Sequence, residues 1–227
     1  MTPSRPVIGV TGNSGSGKGT VCAVLADMGG FCIDADKLAH QVMERGRPAY
    51  TEIADVFGPC VISPDGGIDR EILGGIVFSD PVKRKRLERI VHAEVIRECL
   101  RLGDGAGGLN ARAFVVWDAP LLAEAGMHRQ CGMVLLVTAP YPVKLSRILM
   151  RDGITEERAK LRLSNQPSDG ELYEKLTADI GKDRVRIIEN NGSLVELEYK
   201  IQTLVIPGLT RDPLILPAAG DCGSGPQ

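Results

Sequence analysis

The sequence predicts an α/β fold in which helices cover both faces of a parallel sheet. Short apolar runs without alternation recur at residues 6–10, 31–33, 114–117 and 133–137. A strand that is apolar at every position has both faces buried, as in parallel sheets. Stretches with a helical apolar period separate these runs, as crossover connections require. The first run also leads through a glycine-rich turn straight into a helical pattern.

Taken in order, the strand at 6–10 precedes a helix beginning at Lys18, with Val21, Val24, Leu25 and Met28 on one face. The strand at 31–33 ends at Asp34-Ala35-Asp36, and the following stretch is apolar at Leu38, Val42 and Met43. Residues 48–78 carry Pro, Gly and short helical pieces at 50–57 and 68–77. Asp80-Pro81 supplies an N-cap and a first-turn proline. They open a long amphipathic helix over about 81–101 with Val82, Leu87, Ile90, Val91, Val95 and Ile96 as its stripe. Gly103 to Gly108 reads as a flexible loop. The strand at 114–117 ends in Asp118, and the strand at 133–137 ends in Thr138-Ala139-Pro140. Helices are expected near 142–151, 155–166 and 170–176, then a strand at 185–188 and a turn at Asn190-Asn191-Gly192. Ser193 caps a last helix reaching about residue 206. The Pro- and Gly-rich residues 207–227 are expected to form a disordered tail with no assigned role.

Bulk properties narrow the function. The chain has 227 residues, 43% of them hydrophobic, enough for one domain with a core. A formal net charge of −2 gives no reason to expect nucleic acid or an anionic membrane as partner. The six cysteines are scattered without a C-x-x-C pair or metal-ligand spacing, and read as reduced residues of a cytoplasmic protein. No apolar segment precedes the first strand and none is long enough to span a bilayer, so a soluble intracellular protein is expected.

The chemistry opens at Gly12-Asn13-Ser14-Gly15-Ser16-Gly17-Lys18-Gly19-Thr20. Placed between a strand and a helix, such a loop turns successive N–H groups into an anion-binding nest, reinforced by the helix N-terminus. Asn13 through Thr20 are therefore the expected nucleotide-binding residues, with Lys18 reaching the β- and γ-phosphates. The common form places a hydroxyl directly after the lysine to bind Mg²⁺. Gly19 occupies that position here, and the hydroxyl follows at Thr20. The G-K-G-T ending resembles the loop of adenylate kinases. It points toward a small-substrate phosphotransferase rather than a GTPase or motor. The glycines, at 12, 15, 17 and 19, lack the G-x-G-x-x-G spacing of dinucleotide folds, and no tyrosine is followed four residues later by lysine. A guanine-reading N-K-x-D is absent too, which leaves a P-loop switch without support.

Functional groups of such sheets gather at the carboxyl ends of the strands. Asp34, Asp36 and Asp118 fall there. Phosphoryl transfer to an alcohol needs held phosphates, neutralised charge and a carboxylate that accepts the hydroxyl proton. Asp118 stands where an acid usually orders Mg²⁺, so Thr20 and Asp118 are the candidate metal-ordering groups.

Further motifs point to one family. Ile33-Asp34-Ala35-Asp36 with Leu38-Ala39, Arg45-Gly46-Arg47-Pro48-Ala49, Ile68-Asp69-Arg70 and Ile76-Val77-Phe78 precede the long helix with His92. Ala119-Pro120-Leu121-Leu122-Ala123-Glu124, Arg151-Asp152-Gly153-Ile154-Thr155, Gln166 and Ile188-Glu189-Asn190-Asn191-Gly192 follow. Together, over about residues 6–206, the chain resembles dephospho-CoA kinases. The resemblance implies a three-layer P-loop kinase fold over residues 1–206, with a CoA-side helical subdomain at about 58–101 and a lid at about 151–170. It implies ATP and Mg²⁺, and transfer of the γ-phosphate to the ribose 3′-hydroxyl of dephospho-CoA. Asp36 would be the general base, Asp34 would help place substrate or metal, His92 would lie on the substrate side, and Arg151 would swing in from the lid. A nucleoside-monophosphate kinase is the alternative; the D-A-D pair favours it less, because a phosphate acceptor needs cationic clamps more than a base. Two departures stand out: His40 where many members carry arginine, and His92-Ala93 where the motif often reads His-Pro.

Overall fold

A computed structural model describes residues 5–105 and 114–210. Five strands, β1 (Val7–Thr11), β2 (Gly30–Asp34), β3 (Phe114–Asp118), β4 (Met133–Thr138) and β5 (Val185–Glu189), form one sheet in the order β2-β3-β1-β4-β5. Every pairing is parallel. Along each central strand, alternate residues enter different cores. Ile8, Val10, Phe114, Val116, Leu135 and Val137 pack with α1 (Lys18–Asp27) and α9 (Leu194–Thr210). Val7, Val115, Trp117, Val134 and Leu136 face the opposite way. There they meet α2 (Ala35–Gln41), α3 (Pro48–Phe57), α4 (Arg70–Ser79) and α5 (Pro81–Gly105), the core reaching α8 (Asp169–Ile180) at Leu172 and Leu176. The remaining helices, α6 (Tyr141–Asp152) and α7 (Glu156–Ser164), form a hairpin that follows β4.

The local signals act as expected at the helix starts. Asp80 Oδ1 accepts from the amides of Val82 and Lys83, and Ser193 and Glu196 bond reciprocally ahead of α9. Ser168 and Glu171 form a capping box that starts α8.

Three expectations are corrected. Helix α5 continues through Gly105 instead of yielding a loop at Gly103; a Cβ on Gly103 would already lie 3.2 Å from the Val115 side chain, so the missing side chain permits close packing. Residues 106–108 of that expected loop lie outside the described residues. Val82 is 76% exposed and leaves the predicted stripe, whereas Cys99 and Leu100 join it. A 25-residue helix is roughly 37 Å long and a five-residue strand roughly 17 Å, so α5, whose C-terminal part packs on the sheet, outreaches it at the N-terminal end. Finally, α9 continues to Thr210, four residues beyond the predicted end; the rest of the expected tail lies outside the described residues.

Leu136 lies in the middle of β4, fully buried between β1 and β5. Leu136→Ala is expected to cost about 2–5 kcal/mol in urea unfolding, with the transition remaining cooperative.

Candidate active site

The order β2-β3-β1-β4-β5 brings three strand ends to one place. Val10 and Asp34 are both register partners of Asp118, so β1, β2 and β3 release their loops side by side. Asp34, Asp36 and Asp118 thereby line one cavity of about 530 Å³ with Ser14, Gly15, Gly17, Lys18, Gly19, Lys37, His40, Pro120, Arg151 and Gln166. A second cavity of about 620 Å³ shares Gly15, Gly17, Gly19 and Arg151, and adds Thr20, Arg147, Met150 and the turn at Asn190 and Gly192. The glycine loop thus separates two spaces, and Arg151 belongs to both.

The loop needs its glycines. Gly12 and Gly15 have φ of 145° and 76°, values that L side chains rarely adopt. A Cβ at Gly12 would lie 2.2 Å from the Val137 carbonyl oxygen, and one at Gly15 would lie 2.4 Å from that of Lys144. Backbone from β4 and α6 therefore occupies the space behind the loop. No side chain caps α1, whose first residues, Lys18 and Gly19, line the acidic cavity.

Other side chains hold the loop from behind. Arg147 donates to the carbonyls of Gly15 (3.3 Å) and Ser16 (3.2 Å). Asn190 Nδ2 donates to Ser16 O at 2.9 Å, while its own amide is bound by Thr138 O at the end of β4. Ser16 is buried and its hydroxyl has no hydrogen-bond partner in the structure. Asn13 Nδ2 donates to Pro167 O (2.8 Å) and to Asp169 Oδ1 (3.1 Å), and Gln166 Oε1 accepts from the Ser14 amide at 3.0 Å.

Electrostatics single out Lys18 and two of the acids. Lys18 Nζ donates to Gly12 O at 2.7 Å; burial lowers its pKa, opposed by Asp118 and Asp36. Burial also raises the carboxyl of Asp118, against the pull of Lys18. Asp36 is raised by partial burial and then by Asp34 beside it. Asp34 has a separate job: its Oδ1 accepts from Lys37 N at 2.9 Å and caps α2, and Oδ2 lies 3.4 Å from Lys37 Nζ. In the α6–α7 hairpin, Arg151 and Arg162 share the Asp152 carboxylate, whose pKa falls to about 2, chiefly through the Arg151 hydrogen bond.

The donor set suits a hard divalent cation shared with phosphate oxygens. Among the described residues no three His, Cys, Asp or Glu side chains converge as a cage. Asp118 Oδ1, however, is buried with no hydrogen-bond partner. Mg²⁺ is ordinarily held in this way, by one or two carboxylates plus substrate phosphates and water.

Several predicted residues converge here and some do not. Lys18, Asp34, Asp36, Asp118 and Arg151 do, with Ser14, Gly15, Gly17 and Gly19. Thr20 is exposed in the second cavity, whereas Asp118 lines the first. His92 lines a separate groove of about 510 Å³ between α5 and residues 124–129, and burial lowers its pKa. Arg147, Lys144, Asp169 and the side chain of Asn190 are not among the candidates that the sequence offers. Their partners are 25 to 174 residues away, and no local spacing signals them. His128 was also missed; it is fully buried, with Nε2 2.8 Å from Asp179 Oδ2.

A parallel sheet with a glycine phosphate loop, a half-buried lysine and acids at the adjoining strand ends defines a P-loop kinase. The dephospho-CoA kinase family model (CoaE) matches residues 6–196. A dephospho-CoA kinase of Moorella thermoacetica is 39% identical over 188 residues, 83% of this chain and 85% of the relative. One from Symbiobacterium thermophilum is 40% identical over 86% of this chain and 78% of its own length. Among solved structures, a Thermus thermophilus protein aligns with TM-score 0.68 and 33% identity, covering 91% of this chain and 98% of its own. Dephospho-CoA kinase from Campylobacter jejuni aligns with TM-score 0.57 and 28% identity, covering 88% and 95%. The chain belongs to the dephospho-CoA kinase family.

Two outcomes test this geometry. Gly15→Ala is expected to weaken ATP binding at least tenfold, because the loop must move off the Lys144 backbone; equilibrium binding measures it. Asp118→Asn is expected to abolish most activity yet raise the melting temperature at pH 7. A carboxyl with a raised folded pKa stabilises the fold below its unfolded pKa and loses that contribution as pH rises through the folded value. The gain in melting temperature should therefore vanish at about pH 3.8 and below.

Proposed function

We propose that this chain transfers the γ-phosphoryl group of ATP to the ribose 3′-hydroxyl of dephospho-CoA, giving ADP and coenzyme A. One observation carries the reading beyond membership of the family. A carboxylate, Asp36, shares a cavity with the phosphate-loop lysine and is not committed as a helix cap, as Asp34 is. A kinase acting on a phosphate acceptor has less use for a carboxylate there than one acting on an alcohol. Family membership supports the same choice over a nucleoside-monophosphate kinase.

In this reading the cavity holding Thr20, Arg147 and Asn190 takes the nucleoside of ATP, and the acidic cavity takes the acceptor ribose. Asp36 accepts the 3′-hydroxyl proton as that oxygen bonds to the γ-phosphorus and the bond to the β,γ-bridging oxygen breaks. Its raised pKa moves it toward the range in which a base works well near neutrality. Lys18 and the loop amides hold the β- and γ-phosphates. Asp118, with Asp34 beside it, would hold Mg²⁺, which would supply neutralisation of phosphate charge. Arg151 leaves Asp152 and meets the transferring group as the lid, about 151–170, closes and excludes water. The helical subdomain at about 58–101 carries the rest of the acceptor.

The substrates are small molecules, and no described helix is long and apolar enough to cross a membrane. Cys22, Cys60, Cys99 and Cys131 are free thiols, which supports a cytoplasmic setting.

Incubation with ATP, Mg²⁺ and dephospho-CoA should give stoichiometric ADP and CoA, and AMP, adenosine or water should not replace the acceptor. Asp36→Asn should lower kcat about 10²–10⁴-fold while ATP binding persists. Faster turnover with AMP, or full activity in Asp36→Asn, would overturn the assignment.

A further inference from the structure

The most elaborate polar cluster outside the reacting groups lies behind the phosphate loop. Lys144, on α6, is only 7% exposed, and its ammonium lies 2.7 Å from both oxygens of Asp169 at the start of α8. Asp169 Oδ1 also accepts from Asn13 Nδ2, which in addition donates to Pro167 O. A buried ammonium is tolerated only when paired, and both hydrogens of the Asn13 amide are engaged on the α7–α8 junction. Asn13 lines neither the acidic cavity nor the neighbouring one.

We infer that Asn13 is a tether and not a nucleotide ligand, and that Lys144 acts on the phosphate loop through Asp169 and Asn13. Lys144 fixes the Asp169 carboxylate, Asp169 fixes the Asn13 amide, and Asn13 sets the loop that turns Gly15 onto the Lys144 backbone. The chain of contacts is closed, because α6 both supplies the cation and buttresses Gly15. It also fixes both roots of the α6–α7 hairpin to the loop, Lys144 near the start of α6 and residues 166–169 after α7. Hairpin motion is thereby confined to the residues between these roots. Lys144, Asp169 and Asn13 are positioning residues for the donor site.

The inference rests on the phosphate loop holding ATP. It is read first by equilibrium binding of ATP with Mg²⁺ and no acceptor, so that it stands or falls apart from the identity of the acceptor. Asn13→Ala leaves the Lys144–Asp169 pair intact and should weaken ATP about tenfold, the worth of one hydrogen bond to a charged group. In steady state the KM for dephospho-CoA should move less than about twofold. Lys144→Met should give a similar loss, and the double variant should be no worse than the weaker-binding single one, because both act through one carboxylate. Asn13→Asp should be worse than Asn13→Ala, since it sets two carboxylates together. ATP affinity within twofold in Asn13→Ala, an Asn13→Asp variant no worse than Asn13→Ala, or independent additive losses in the double variant would each overturn the relay. A parallel loss of both substrates with a fallen melting temperature would mark a structural role only, and also overturn it. If Lys144→Met does not fold, Asn13→Ala and Asn13→Asp decide the question alone.

Discussion

One steric constraint governs this molecule: backbone amides must turn toward a common point while other backbone fills the space behind them. Gly12 and Gly15 satisfy it by adopting positive φ against the carbonyls of Val137 and Lys144. A methyl group at either place would collide with main chain, which has no rotamer to change. The loop therefore depends on β4 ending where it does and on α6 passing directly behind. The sheet order supplies the rest, since β1 must lie between β3 and β4 for the acids of one side and the arginines of the other to meet it.

Charge then divides the work. On the β2–β3 side, Lys18 lies among carboxylates raised by burial, an arrangement that disfavours the fold near neutrality. On the β4–α6 side, Arg147 and Asn190 bind loop carbonyls from behind. Arg151 and Arg162 of the α6–α7 hairpin are meanwhile held by Asp152, an acid kept ionised far below neutral pH. Asp34 illustrates how one residue serves two levels: its carboxylate caps α2, and the start of that helix places Asp36 in the cavity.

The strands, the phosphate loop and the acids after β2 and β3 were legible because each is a local pattern. Apolar runs mark buried strands, and glycine spacing with Lys18 marks the anion nest. Asp80, Ser193 and Asp34 announce helix starts within three residues. The reading was less good where length or distance intervened. Val82 fits the stripe of α5 by period, yet that helix outreaches the sheet and leaves it bare. His92 and Thr20 belong to the right motifs but line other spaces than Asp118.

By itself, the sequence determined the elements, their order and the chemical character of the site, since these follow from patterns spanning a few residues. Only tertiary structure decided which groups support the loop. Lys144 looks like any surface lysine of an amphipathic helix until Asp169 is brought to 2.7 Å by the return of α8. Asn190 is a turn residue until β5 lies beside β4 and carries it under Ser16. Such pairings join residues far apart in the chain, and they exist only where the hydrophobic cores have already set the helices and strands at contact distance.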